Sequence, residues 1–128
     1  MSITVKIIDG PLGPADAWYV NGAGAVVTFD GVVRPMENDK AISGLDYEVY
    51  SPMAERELVK LAQQVMERHG VVAVDVMHSR GFVPNFAVSF RLRIASSHRA
   101  AALAAMGEFI DRMKQDVPIW KKAVYAER

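Results

Sequence analysis

Apolar and polar positions alternate with a period of two in several short stretches of this chain. In two long stretches they recur with a period near 3.6, so strands and helices are both expected. Ile3 to Ile8 alternates and predicts a first strand, ended by the turn-rich Asp9-Gly10-Pro11-Leu12-Gly13-Pro14, with a short helix possible over Asp16 to Val20. Gly24 to Arg34 is β-branched and apolar enough for a buried strand, and Gly31 within it suggests a bulge or a close backbone approach. Pro35 to Lys40 reads as a loop. Ser43 to Tyr50 resumes as a strand with Leu45, Tyr47 and Val49 on one face and Asp46, Glu48 and Tyr50 on a wet one.

Ser51-Pro52 opens the first helix, with serine as cap and proline in the first turn. Leu58, Leu61, Ala62, Val65 and Met66 form its apolar stripe, and Gly70 stops it. Val71 to His78 and Phe86 to Ala95 predict two more strands joined by Ser79 to Asn85. In the second, Phe86, Val88, Phe90, Leu92 and Ile94 alternate with Ser89, Arg91 and Arg93. Ser96 or Ser97 is placed to cap an alanine-rich helix running to about Asp116, which Pro118 ends, and Ile119 to Ala126 adds a final extended piece. No β-α-β alternation spans the chain, so the pattern favours an α+β fold over a doubly wound sheet.

With 128 residues, 51% of them apolar, one domain covering 1–128 is expected. Fifteen basic residues balance fifteen acidic ones, so no global field draws the chain to nucleic acid or to a membrane surface, and any anion preference must be local. No apolar run is long enough to span a bilayer and the first residues lack a secretory signal, which points to the cytoplasm. The absence of cysteine removes thiol nucleophiles and zinc-thiolate sites, so any sulfur chemistry must use sulfur brought by another molecule.

Three basic groups stand out against the apolar pattern: Arg34 at the end of a strand, His98-Arg99 at a helix start, and Lys114 with Lys121-Lys122 around that helix's exit. A helix N-terminus presents free N–H groups and partial positive charge to a phosphate or carboxylate, and Arg34 has the fork to grip the same oxygens. A lysine crowded by other cations is pushed toward its neutral form, which makes Lys114 and Lys121 the chemical candidates. The competing readings are plain. Arg56, Lys60, Arg68 and Arg112 read as solvated surface charge, Ser97-His98 serves equally well as a helix cap, and the Met and Phe positions at regular spacing are core. His69 and His78 have no partner at ligand spacing, so no metal site is expected. Nucleotide loops and nucleophile elbows are absent from the sequence.

Taken in order, Gly24-Ala25-Val26-Val27-Thr28-Phe29 through Gly31 and Arg34, Leu45-Asp46-Tyr47-Glu48-Val49-Tyr50 with Met53-Ala54, Ser96-Ser97-His98-Arg99, and Lys114 followed by Pro118-Ile119-Trp120-Lys121-Lys122 carry a pattern. It resembles that of the large, catalytic subunit of molybdopterin synthase, over residues 3 to 122. The resemblance implies a mixed, mainly antiparallel sheet with two long helices, of the α/β-hammerhead kind. It implies a sulfurtransferase of molybdenum cofactor biosynthesis that converts cyclic pyranopterin monophosphate (precursor Z) to molybdopterin without a cofactor of its own. The sulfur would come from the thiocarboxylated C-terminal Gly-Gly of a small ubiquitin-like subunit, in a heterotetramer built on a homodimer. By carry-over Lys121 and Lys114 are catalytic, Arg34, His98 and Arg99 hold the substrate, and Phe29, Val32, Val33 and Lys122 line the site. The alternative is a non-catalytic module of the same fold that docks the carrier or a pterin phosphate.

Three departures stand out: Val32 where the family commonly has lysine, Pro84-Asn85-Phe86 in place of a glycine-acid turn, and Ala123 in place of a frequent glutamate. Relatives also continue into a short hairpin beyond the position of Arg128. Geometry adds one expectation. On a single helix Arg99 and Lys114 are about 22 Å apart, at about 1.5 Å per residue, so one small substrate reaches both only if two protomers share the pocket.

Overall fold

The structure is a computed structural model that describes residues 2–126; Met1, Glu127 and Arg128, the outer ends of the expected 1–128 domain, lie outside the described residues. The elements run β1 (Ser2–Asp9), β2 (Ala25–Val32), β3 (Met36–Glu37), β4 (Lys40–Val49), α1 (Met53–His69), β5 (Ala73–Pro84), β6 (Val88–Ser96), α2 (Arg99–Asp116) and β7 (Ile119–Tyr125). The class is α+β, as the pattern predicts, with the mainly antiparallel sheet and two long helices that the resemblance implies. Among the described residues only β1 runs parallel to its neighbour, β5.

β5 organises the sheet because it changes partners along its length. Its first part lies between β1 and β6, with Ser2 to Asp9 against Ala73 to Arg80 and Ala73 to His78 against Ala95 to Phe90. From Gly81 to Pro84 it pairs with β4 instead, and β4 carries β7 on its other side. Gly81 makes the turn-over at φ +85°, a left-handed backbone that side chains disfavour. The expected connector Ser79 to Asn85 is therefore mostly strand, and the reversal falls on Asn85-Phe86-Ala87. Phe86, expected in the strand, sits there at φ +70° and is exposed.

Both helices cover one face. Leu58, Leu61 and Val65 of α1 and Ala102, Ala105, Met106 and Phe109 of α2 are buried with Val74 and Val76 of β5 and Phe90, Leu92 and Ile94 of β6. Each large side chain withdrawn in this way contributes about 1.5–3 kcal/mol, which holds the helix layer to the sheet. Gly70 ends α1 in the left-handed conformation, but Pro52, not Ser51, is its N-cap residue. At α2 the N-cap position belongs to His98 and no side chain caps it. Ser96 is still in β6, so neither serine plays the expected part.

Three further expectations change. Residues 16–20 form no helix: the carbonyl of Asp16 accepts from Arg93, its carboxylate pairs with Arg93, and the Trp18 ring lies 5.0 Å from the same guanidinium, which holds the segment flat on the sheet. β2 is an edge strand, and Val26 and Val32, on the face opposite to the core-facing Val27, are half exposed. The loop Pro35 to Lys40 contains β3, which pairs with the start of β4 through Asn38 and Asp39, both at positive φ as a tight hairpin turn requires. No helix among the described residues is long and apolar enough to cross a membrane.

Candidate functional site

Where β5 leaves β6 for β4, the two halves of the sheet part and a pocket of about 500 Å³ opens between them. Seven elements meet there. β2 brings Phe29, Gly31 and Val32, and Val33 and Arg34 follow it; α2 brings Ile110, Met113 and Lys114; β7 brings Ile119, Trp120 and Lys121; β4 brings Leu45 and Tyr47; β3 brings Glu37; β5 brings His78; β6 brings Ser89 and Phe90. Apolar walls with a few polar groups and cations suit a small, partly aromatic, anionic ligand.

One of the interior polar groups, Ser89, is placed by a bulge. Gly31 pairs with Phe90 and Val32 with Val88, so Ser89 of β6 is the extra residue, and a bulge re-aims the side chain it carries. The irregularity that Gly31 suggested is thus in place, with its additional residue on the partner strand. The Ser89 hydroxyl meets the Tyr47 hydroxyl at 2.9 Å. Burial, opposed by that hydrogen bond and helped by the nearby Glu37 charge, raises the Tyr47 pKa above its ordinary value. His78 stands edge-on to Tyr47 with ring centroids 5.1 Å apart, and is 5% exposed. Its Nδ1 lies 2.8 Å from the Ser79 carbonyl, which only accepts, so Nδ1 carries the proton and the neutral ring keeps a lone pair on Nε2. Burial lowers the His78 pKa, against a smaller opposite effect of that carbonyl, and favours the neutral ring.

Around these neutral groups stand Arg34, Lys114 and Lys121, all exposed. Lys121 Nζ is 3.7 Å from Glu37 Oε1; Arg34 and Lys114 have no ion-pair partner among the described residues. The crowding of lysine by cations expected from the sequence is thus not the arrangement at Lys121, whose near neighbour is a carboxylate. A second groove, between α1 and α2, is also lined by arginines, but its charges cancel. There the hydrogen bond from His69, followed by Arg112 and Arg68 and opposed by partial burial, holds the Glu108 carboxyl below its ordinary range.

Six of the nine residues singled out from the sequence line this one pocket: Phe29, Val32, Val33, Arg34, Lys114 and Lys121. Three do not. Lys122 borders a neighbouring groove with Asp46, Glu48 and Arg80, which Tyr47, Trp120 and Lys121 share with the pocket. His98 and Arg99 are exposed at the first turn of α2 while Lys114 is in its last, so the two ends of one helix separate them. Sequence reasoning missed Glu37, Tyr47, His78 and Ser89 as pocket residues. The alternation that put Tyr47 with the core was a usable signal for its direction, whereas the Ser89 bulge and the β3 hairpin were not visible.

The chain matches the family model described as MoaE protein over residues 10–116. It is 39% identical over 104 residues to the molybdopterin synthase catalytic subunit of Homo sapiens, covering 81% of this chain and 55% of that protein. The chain therefore spans about half the length of that relative. Among solved structures it is similar to molybdopterin synthase from Staphylococcus aureus, with a TM-score of 0.83 and 28% identity over 95% of this chain and 91% of that one. It is similar also to a chain in the complex of subunits 1 and 2 of the molybdopterin-converting factor from Helicobacter pylori, with a TM-score of 0.74 and 27% identity over 97% and 90% of the two chains.

Proposed function

This chain belongs to the MoaE family, and from that premise we propose that it is the catalytic subunit of a molybdopterin synthase, a cytoplasmic sulfurtransferase that acts on cyclic pyranopterin monophosphate. The sulfur donor in this reading is the thiocarboxylated C-terminus of a small ubiquitin-like subunit, and the Helicobacter pylori neighbour, a two-subunit complex, supports such a partner. The observation that carries the reading is the convergence of Arg34, Lys114 and Lys121, far apart in sequence, on one pocket with apolar walls.

In this pocket Arg34 grips an anionic oxygen pair, and the flat pterin lies against Phe29, Val32 and Val33. Lys121 and Lys114 assist addition of sulfur and release of the carrier's carboxylate. Lys122 contributes from the neighbouring groove, toward the partner. His98 and Arg99 reach a substrate only from a second copy of the chain, so the reading includes a homodimer inside a heterotetramer.

Reconstitution tests it. The chain, the thiocarboxylated small subunit and cyclic pyranopterin monophosphate are mixed and the dithiolene product is followed; formation that disappears with Lys121→Ala is the expected result. Tight carrier binding with no product by the unaltered chain would establish the non-catalytic module instead.

A further inference from the structure

The pocket holds three cations and one carboxylate, and the carboxylate is committed to one of the three. Glu37 comes from the two-residue strand β3, carried to the pocket by a hairpin whose turn residues Asn38 and Asp39 are both left-handed. Its Oε1 is 3.7 Å from Lys121 Nζ, and its charge is also felt at the Tyr47 hydroxyl. The Glu37 side chain is 25% exposed and that of Lys121 56%, so the pair adds little to stability. What it changes is the local charge. A carboxylate beside Lys121 repels an incoming anion from that lysine and leaves Arg34 and Lys114 as the uncompensated cations.

We infer that Glu37 is a positioning residue that divides the work of the pocket: it holds Lys121 in place and keeps it clear of the bound anion, which Arg34 and Lys114 take. The inference rests on the proposed sulfur transfer for its meaning, but its charge logic is separable from that reaction. With Lys114 on the anionic groups, Lys121 is the lysine left to meet the reacting carbon, and a phosphate seated on Lys121 would remove it. The acidic neighbour prevents that occupation.

The test has two arms. Inorganic phosphate is titrated into the protein and followed by phosphorus NMR. Affinity should fall severalfold in Arg34→Ala and in Lys114→Ala, and stay unchanged in Lys121→Ala. It should rise severalfold in Glu37→Gln, and the rise should vanish in the double variant Glu37→Gln with Lys121→Ala. Equal losses in all three cation variants, no gain in Glu37→Gln, or no phosphate binding to the unaltered protein would each overturn the inference. In the reconstituted reaction Glu37→Gln should lose about tenfold in kcat without a rise in KM, and Glu37→Asp should recover part of it. A Glu37→Gln enzyme with unchanged kcat contradicts the inference. An unaltered chain that makes no product contradicts the sulfur-transfer reading alone, since the phosphate titrations stand without it.

Discussion

On the outer face of β6, Arg91 and Arg93 are 4% and 6% exposed, and both are fully engaged. Arg91 forks onto Asp30 at 2.7 and 3.3 Å and donates to the Gly13 carbonyl; Arg93 holds Asp75 at 2.8 Å and Asp16 at 3.0 Å beneath the Trp18 ring. Thr4 adds a hydrogen bond to the same Asp75. At the pocket, Arg34, Lys114 and Lys121 are exposed, and among the described residues only Lys121 has a carboxylate beside it. The same chemical groups serve opposite ends. Where every guanidinium nitrogen meets an acceptor within the chain, the cation fastens a loop to a sheet; where cationic nitrogens are left over, they are available to a ligand.

The largest expected effect breaks the first half of that comparison. Arg93→Ala leaves Asp75 buried without its counter-charge and frees the segment around Asp16 and Trp18, so unfolding in urea should show a loss of about 3–5 kcal/mol. Lys121→Ala sharpens the second half: its urea midpoint should match the unaltered protein, while turnover in the reconstituted reaction falls about a hundredfold or more. Arg34→Ala should act mainly on binding, raising the KM for cyclic pyranopterin monophosphate about tenfold, the scale of one charged hydrogen bond.

The smallest effect concerns His78. Its folded-state pKa is lowered, so as pH falls from the ordinary histidine value of about 6.5 the unfolded chain takes up a proton that the folded chain refuses. Stability from this group is therefore complete above that pH and is lost as pH drops toward the depressed value. Denaturation across this window should show the slope, and His78→Asn, which keeps a donor for the Ser79 carbonyl, should flatten it.

The division between fastening cations and binding cations was only half legible in the sequence. Arg34, Lys114 and Lys121 stood out because each sits at the end of an apolar element, where a charge has no reason to be unless solvent or a ligand meets it. Arg91 and Arg93 showed in the sequence only as the polar side of an alternating strand, and they are buried. The cause is the segment from Gly13 to Trp18, without periodic pattern, which folds over them by contacts made far along the chain. The strands, both long helices and the Gly70 stop followed from periodicity, since those signals are local. Strand β5 ran past its expected end at His78 because pairing with β4 is a long-range property. The same holds for Ser89, which the bulge turns toward Tyr47, and for Glu37, which reaches the pocket through a hairpin of two residues. Lys122 was assigned to the site by the family resemblance, and the structure puts it in the adjoining groove, which Lys121 borders as well.

The most direct measurement is a crystal structure of the chain with cyclic pyranopterin monophosphate bound. The ligand is expected between Arg34, Lys114 and Phe29, with its phosphate away from Glu37 and with His98 and Arg99 of a second copy closing the site. Ligand density in the groove between α1 and α2, or anywhere that leaves Arg34 and Lys114 untouched, would contradict that placement.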